Sequence, residues 1–297
     1  MNTTLFPPRI AMRGLRSARA FSTARVLRSD LSYQVFGPET EEATRSPILF
    51  LHGLFGSKQN NRSISRALAR DLKRQIFTVD LRNHGQSFHS QEHNYAVMAD
   101  DVIKFIEQQK LGKCVLIGHS MGAKTAMAVA LGSPELVSAL VPVDNAPVNA
   151  VLKSDFGKYV RGMQQIEAQK VTKQSDADKI LQEYEESLPI RQFLLTNLVR
   201  SAEDQTMKFR VPLSVIGASL SHMADFPYGE SDAVTYDGPT LFIRGTKSRY
   251  VSDDTIPAIK KFFPRAEIAD VEAGHWLISE NPEGFRQAVV KFLQKAP

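Results

Sequence analysis

A five-residue segment, residues 118–122 with the sequence GHSMG, limits the folds open to this chain more than any other feature. It follows the apolar run 113–117 and opens residues 121–131, in which apolar side chains have helical spacing. The glycines two positions before and after Ser120 remove side chains where a strand turns sharply into a helix. The segment therefore predicts a strand, a tight turn and a helix, with Ser120 projecting from the edge of a sheet.

The rest of the chain from Leu31 onward alternates short apolar runs with segments of helical spacing, a pattern typical of parallel βαβ units. It predicts an α/β fold with a mostly parallel sheet flanked by helices. Residues 148–236 interrupt the alternation with helical, Lys- and Glu-rich sequence and no clear strand, so we interpret them as an inserted helical lid. The predicted strands are 47–51, 75–79, 113–117, 137–143, 239–244 and 266–271, and the predicted helices are 64–72, 95–108, 121–131, 255–263 and 282–293.

The composition is that of a globular protein, with 42% hydrophobic and 23% charged residues among 297. One cysteine, Cys114, cannot form an internal disulfide, and its position in an apolar run predicts a buried strand residue. No stretch approaches the roughly 20 apolar residues needed to cross a bilayer, so we expect no transmembrane segment. Nothing in the sequence indicates an oligomeric state.

The positive charge of the chain is concentrated in its first 29 residues. Six of the 37 basic residues are arginines before Asp30, where there is no acid, and the remainder holds 31 basic against 32 acidic residues. An Arg-rich leader without acids is typical of a mitochondrial presequence, so we expect residues 1–29 to direct the protein to mitochondria, with the matrix as the expected compartment. Because the folded part is close to neutral, we expect no nucleic-acid partner.

A serine nucleophile needs a base, and His275 has the most suitable position among the seven histidines. It lies between the last predicted strand and the last predicted helix, so the final βα loop brings it to the sheet edge that holds Ser120. His119 is adjacent to Ser120, but neighbouring residues point in different directions, and we interpret it as a packing residue. Three further histidines lie close together in the sequence: His84, His89 and His93. No cluster of acids or cysteines accompanies them, so we interpret them as loop residues and expect no metal site.

The acid that orients the base is predicted to be Asp144, which ends the predicted strand 137–143. That strand follows the nucleophile strand along the chain, and its end emerges at the same sheet edge. Residues 245–248, after the strand 239–244, contain no carboxylate. Four alternatives remain open at this point: Asp253, Asp237, Asp225 and Asp232.

Backbone amides are predicted to stabilise the oxyanion that forms during acyl transfer. One donor is the amide of Met121, directly after the nucleophile. The other is the amide of Leu54 or Phe55, in the segment HGLFG after the first strongly apolar strand. We take Leu54 as the first choice.

These segments together resemble the α/β-hydrolase superfamily. The resemblance rests on residues 51–57 (LHGLFGS), 80–87 (DLRNHGQS), 118–122 (GHSMG) and 274–276 (GHW). More narrowly, the chain is similar to the α/β-hydrolase domain-containing protein 11 family, which includes mitochondrial esterases and yeast ethanol acetyltransferases. Residues 54–58 and 124–127 carry the resemblance to this narrower family. The resemblance covers nearly all of residues 31–295 and implies acyl ester or thioester chemistry without a cofactor, with an acid placed as Asp144 is.

The sequence thus predicts a serine hydrolase that takes a small-molecule acyl ester or thioester through Ser120, His275 and Asp144. An alcohol acyltransferase that uses the same acyl-enzyme is the first alternative, because an alcohol competes with water for the acyl group in a dry pocket. A non-catalytic scaffold is the second, since fold does not dictate function.

Overall fold

The computed structural model describes residues 31–38, 45–149, 155–229 and 231–295. Its main feature is a seven-stranded sheet in the order β1-β3-β2-β4-β5-β8-β9, in which β1 is antiparallel to β3 and the other pairs are parallel. A two-stranded antiparallel hairpin, β6 and β7, lies outside this sheet. The strands are β1 (Tyr33–Phe36), β2 (Ile48–Leu51), β3 (Ile76–Val79), β4 (Cys114–His119), β5 (Val137–Val143), β6 (Leu198–Arg200), β7 (Met207–Phe209), β8 (Thr240–Gly245) and β9 (Ala266–Val271).

Helices cover both faces of the sheet, which explains why β2, β3, β4 and β5 are buried along their whole length. One apolar core joins the sheet to α2, α3 and the helices between β5 and β8, and a second joins it to α1 and α11. The helices are α1 (Arg62–Leu72), α2 (Tyr95–Gln108), α3 (Met121–Gly132), α4 (Asp155–Ala168), α5 (Gln174–Gln182), α6 (Leu188–Leu195), α7 (Leu213–Ala218), α8 (Leu220–Ala224), α9 (Ile256–Phe262), α10 (Leu277–Glu280) and α11 (Pro282–Leu293).

All six predicted strands and all five predicted helices are present within a few residues of their expected ends, and the predicted fold class is confirmed. The sequence missed β1, a four-residue edge strand whose side chains are partly exposed. The interpretation of residues 148–236 as free of strands is wrong at β6 and β7, which have three residues each. The helices α4 to α8 and this hairpin are called the insertion below. The predicted presequence, residues 1–29, lies outside the described residues.

The crevice of the sheet lies where the strand order reverses, because β2 pairs with β3 on one side and with β4 on the other. In open parallel sheets, ligands bind at this point, outside the carboxyl ends of the strands. The loops after β2 and β4 are residues 52–56 and Ser120, so the fold places the two predicted parts of the site next to each other. None of the helices in the described ranges is long and apolar enough to cross a membrane.

Candidate active site

Ser120 occupies the turn between β4 and α3 with a left-handed backbone, at φ 53°. Close approaches explain both flanking glycines. A Cβ atom on Gly118 would lie 2.1 Å from the carbonyl oxygen of Gly122, and one on Gly122 would lie 2.5 Å from the carbonyl oxygen of Leu51. Neither residue can carry a side chain without moving the backbone, as the sequence pattern predicts.

A continuous chain of hydrogen bonds joins Ser120, His275 and Asp144. The Ser120 Oγ atom lies 2.9 Å from His275 Nε2, and His275 Nδ1 lies 2.7 Å from Asp144 Oδ2. Asp144 is fully buried, while His275 and Ser120 retain a small exposed fraction. With Nδ1–H donated to the carboxylate, Nε2 is left as the acceptor for the serine hydroxyl proton, which is the arrangement a general base requires.

Asp144 is held at the end of β5 by two further donors. The amide of Gly245 donates to Oδ1 at 3.1 Å, and the hydroxyl of Ser248 donates to Oδ2 at 2.5 Å. The backbone of Asp144 is also left-handed, at φ 50°. These contacts fix the carboxylate against the imidazole of His275.

The four alternative acids are engaged elsewhere or point to solvent. The Asp253 side chain is 84% exposed and pairs with Arg244 at 2.7 Å. Asp225 lies near His222, Asp232 accepts a hydrogen bond from the Gly229 amide, and Asp237 is exposed. None of them contacts His275 in the described part of the chain.

The backbone amides of the loop after β2 differ in whether they are already hydrogen-bonded. The Phe55 amide donates to His84 Nε2 at 3.1 Å, so it is occupied. The amides of Leu54 and Met121 have no hydrogen-bond partner among the described residues. Of the two alternatives that the sequence left for this loop, the structure thus leaves Leu54 available, beside Met121, to stabilise an oxyanion.

The Phe55 peptide is clamped from both sides in a left-handed conformation, at φ 62°. His84 accepts from its amide and donates from Nδ1 to the Arg82 carbonyl, which lies 2.9 Å away. Burial lowers the pKa of His84 well below its usual value, and the neutral ring is the form that accepts. On the other side, Asn197 Nδ2 of the insertion donates to the Phe55 carbonyl at 2.7 Å. The insertion therefore contributes directly to the shape of the loop after β2.

Aromatic rings surround His275 on two sides. The Tyr250 ring stacks on the imidazole with a centroid distance of 4.1 Å and an angle of 27°. The His119 ring lies 5.1 Å away, and its Nε2 atom is 2.8 Å from the His275 carbonyl oxygen. Burial lowers the pKa of His119 to about 4, so it is neutral and donates to that carbonyl. His119 is thus a packing residue, as predicted, and it also fixes the loop that carries the base.

The cysteine and the loop histidines that the sequence analysis considered lie outside the site. Cys114 is buried in β4, and burial raises the pKa of its thiol to about 12, which leaves it unreactive. His93 is buried with its Nδ1 atom 3.4 Å from Asn83 Nδ2, whereas His89 is exposed. Within the described ranges, no three His, Cys, Asp or Glu side chains come close enough together to hold a metal ion.

A narrow cavity adjoins Ser120 on the side of α3 and encloses about 20 Å³. Its walls include Leu54, Phe156, Tyr250 and Lys124. A second cavity of about 320 Å³ lies beyond His119 and Trp276.

The sequence did not single out Ser248, Tyr250, Asn197 or the chemistry of Lys124. A lysine in an otherwise apolar helix was the one visible signal among them, because a charge in such a helix needs buried partners.

Comparisons with known proteins identify the family of the chain. The profile of the family described as alpha/beta hydrolase fold matches residues 46–282. The chain therefore belongs to the α/β-hydrolase fold family, and the predictions of this family and of an enzyme are confirmed.

Individual relatives are more specific. A Xenopus laevis protein named sn-1-specific diacylglycerol lipase ABHD11 is 40% identical over 272 residues, which cover 90% of this chain and 85% of that protein. A Saccharomyces cerevisiae protein named probable alcohol acetyltransferase is 38% identical over 291 residues, covering 90% of this chain and 84% of the relative. The solved structure of a marine microorganism esterase superposes with a TM-score of 0.82 at 31% identity and covers 89% of this chain and 99% of that one.

Proposed function

We propose that this protein is a serine hydrolase that cleaves acyl esters or thioesters through an acyl-enzyme on Ser120. The observation that carries the proposal is the hydrogen-bonded series from Ser120 Oγ through His275 to Asp144, with distances of 2.9 and 2.7 Å. In this scheme His275 is the general base, Asp144 orients its imidazole, and the Leu54 and Met121 amides hold the oxyanion.

Acylation begins when Ser120 Oγ attacks the carbonyl carbon of the substrate and its proton passes to His275 Nε2. The carbonyl oxygen becomes an oxyanion, and each correctly placed amide donor lowers the barrier by about 3 kcal/mol. The buried carboxylate of Asp144 stabilises the imidazolium while it exists. Collapse of the tetrahedral intermediate breaks the bond to the leaving alcohol or thiol, which takes the proton from His275.

Deacylation repeats the same steps with a second nucleophile. Water loses a proton to His275 and attacks the acyl carbon, and the carboxylic acid and the free serine are the products. The second candidate function is alcohol acyl transfer, in which an alcohol takes the place of water and an ester is formed. The relative named probable alcohol acetyltransferase favours this candidate, as does the nearly complete burial of Ser120, which limits access of water.

The deciding experiment uses the purified full-length chain with acetyl-CoA or short-chain esters, with and without ethanol. Acetate and ethyl acetate are measured by chromatography, and Ser120→Ala is the blank. Acetate alone supports the hydrolase. Ethyl acetate that depends on Ser120 supports acyl transfer as the main activity.

Fluorophosphonate labelling separates both enzymes from a non-catalytic scaffold. The probe is expected to label the wild-type protein and to leave Ser120→Ala unlabelled, because it reacts with activated serines. Folded wild-type protein that neither takes the label nor releases acetate would contradict the proposal.

We also propose import into mitochondria, on the basis of the six arginines and the absence of acids before Asp30. A fluorescent fusion of the whole chain is expected to colocalise with a mitochondrial marker, and a fusion that lacks residues 1–29 is expected to lose this signal. Unchanged localisation of the shortened fusion would refute the presequence.

A further inference from the structure

Lys124 is a charged residue in the wall of the small cavity that adjoins Ser120. It lies on α3, one helical turn after Ser120, and its side chain is only 1% exposed. Ser120 and Lys124 both line the cavity of about 20 Å³ described above.

The ammonium group of Lys124 is bound by three backbone carbonyls. Its Nζ atom donates to the Val148 oxygen at 2.9 Å, to the Ala224 oxygen at 2.8 Å and to the Asp225 oxygen at 2.9 Å. A lysine has three N–H donors, so each is used. Val148 follows β5, and the other two carbonyls lie at the end of α8. Lys124 thus joins both ends of the insertion to the nucleophile helix.

Tyr95 also lines the cavity. Its hydroxyl donates to the Met223 carbonyl at 2.9 Å, and the Lys124 Nζ atom lies 5.5 Å from its ring centre. Three consecutive carbonyls, at positions 223, 224 and 225, are therefore bound by Tyr95 and Lys124. The last carbonyls of a helix have no partner within it and carry partial negative charge, which favours a cation there.

Burial of the ammonium is costly, and it lowers the Lys124 pKa to about 8. The carbonyl partners offset part of this cost, and they would lose their donors if the lysine moved. An alkyl chain that extends from Ser120 into this cavity meets the Lys124 side chain beside apolar walls such as Leu54 and Phe156. A free volume of about 20 Å³ is room for one water molecule.

From this arrangement we infer that Lys124 is a specificity-determining residue, which closes the cavity beside Ser120 and restricts the enzyme to acetyl-sized acyl groups. The inference rests on the proposed function, because it assumes an acyl-enzyme on Ser120. Longer acyl chains are rejected, since they would have to displace the ammonium from its three carbonyls or leave part of the chain outside the cavity.

The test compares kcat/KM for p-nitrophenyl acetate, butyrate and octanoate in the wild type and in Lys124→Met, which has a similar length and no donors. We expect the wild type to prefer acetate over octanoate, and we expect Lys124→Met to lower the acetate-to-octanoate ratio by at least about tenfold. Lys124→Arg, which keeps the charge, is expected to retain the preference for acetate.

Asn149→Ala is the matched control for a purely structural role. It removes the acceptor of the hydrogen bond from the Phe226 amide, 2.7 Å long, which joins the two ends of the insertion beside Val148 and Asp225. It leaves the ammonium group and the cavity walls in place, so the acetate-to-octanoate ratio is expected to stay at the wild-type value. If Lys124→Met lowers kcat/KM for all three esters by the same factor, Lys124 only anchors the insertion and the inference is wrong.

If Lys124→Met does not fold, as judged by its thermal transition, the wild-type measurement still tests the inference. A wild-type protein that cleaves octanoate as efficiently as acetate would overturn the inference. Failure of the proposed function looks different, because no ester would then be cleaved and fluorophosphonate would not label Ser120.

Discussion

The hydroxyl of Ser248 donates to the Asp144 carboxylate at 2.5 Å, on the same oxygen that accepts from His275. Ser248 lies in the loop after β8, and Asp144 lies at the end of the neighbouring strand β5. Two loops of the sheet edge thus meet at one carboxylate, and the proposed acid directly follows β5. This arrangement leads to two predictions about which position carries the acid.

The first prediction concerns the removal of the charge at Asp144. Asp144→Asn is expected to lower kcat by about 10⁴, because an amide no longer fixes the His275 tautomer that accepts the serine proton. The measurement is steady-state hydrolysis of p-nitrophenyl acetate. Asp253→Asn is the control, since this carboxylate is exposed and pairs with Arg244. A loss of activity in the control with retention in Asp144→Asn would reassign the acid.

The second prediction moves the carboxylate to the other loop. In an Asp144→Ser background, the added change Ser248→Asp is expected to raise kcat by about tenfold or more, because position 248 already reaches the oxygen that contacts His275. The comparison is with Asp144→Ser alone, at equal thermal stability. If the double variant is no faster than the single variant, the backbone after β8 does not approach the imidazole as described.

The third prediction concerns the hydrogen bond from Asn197 to the loop after β2, which carries the proposed oxyanion donor Leu54. Asn197→Ala removes the donor to the Phe55 carbonyl and is expected to lower kcat by about 10- to 100-fold with little change in KM, because the loop acts mainly on the transition state. Thr196→Ala is a matched control, since this neighbouring side chain is exposed and its hydroxyl donates to the Phe193 carbonyl of its own helix. An increase in KM alone would show that Asn197 acts on substrate binding instead.

The fourth prediction concerns stability in acid. Burial is the main cause that lowers the pKa of His93 to about 4, and its Nε2 atom has no hydrogen-bond partner in the described ranges. As the pH falls below about 6.5, the unfolded chain takes up the proton before the folded one does, so the free energy of unfolding decreases. This contribution is complete above pH 6.5 and is lost toward pH 4, with a size of up to about 3 kcal/mol.

Denaturant titrations between pH 7 and pH 4 test this prediction. The advantage of the wild type over His93→Gln is expected to shrink as the pH falls, because glutamine does not titrate. His89→Gln, at an exposed position, is expected to follow the wild type at every pH. Parallel curves for the wild type and His93→Gln would show that folding does not shift the pKa of His93.

The sheet was predictable because its inner strands are buried on both faces and therefore form continuous apolar runs. β1 was not, since a partly exposed edge strand of four residues has no such run. In the site, the order of the strands along the chain was sufficient to predict that Ser120, His275 and Asp144 lie at one edge.

The supporting contacts could not be derived in the same way. Asn197 reaches Phe55 across 142 positions of the chain, and Lys124 reaches Asp225 across 101. Such contacts depend on how the insertion packs over the sheet, and helical periodicity does not determine this. The two alternatives at Leu54 and Phe55 likewise needed the position of His84, whose bond to the Phe55 amide is a tertiary contact.

Phe55, Ser120 and Asp144 share a left-handed backbone, with φ of 62°, 53° and 50°. For residues with side chains, this conformation costs roughly 1–2 kcal/mol each. Two of these three backbone positions, Ser120 and Asp144, are proposed to carry the chemistry, and the third adjoins the proposed oxyanion donor Leu54. Ser120 has the smallest side chain of the three, so a directed-evolution experiment that selects only for heat resistance is expected to accept glycine there and to yield more stable proteins that turn over no substrate. Selection for thermostability in this protein needs an activity screen at every round.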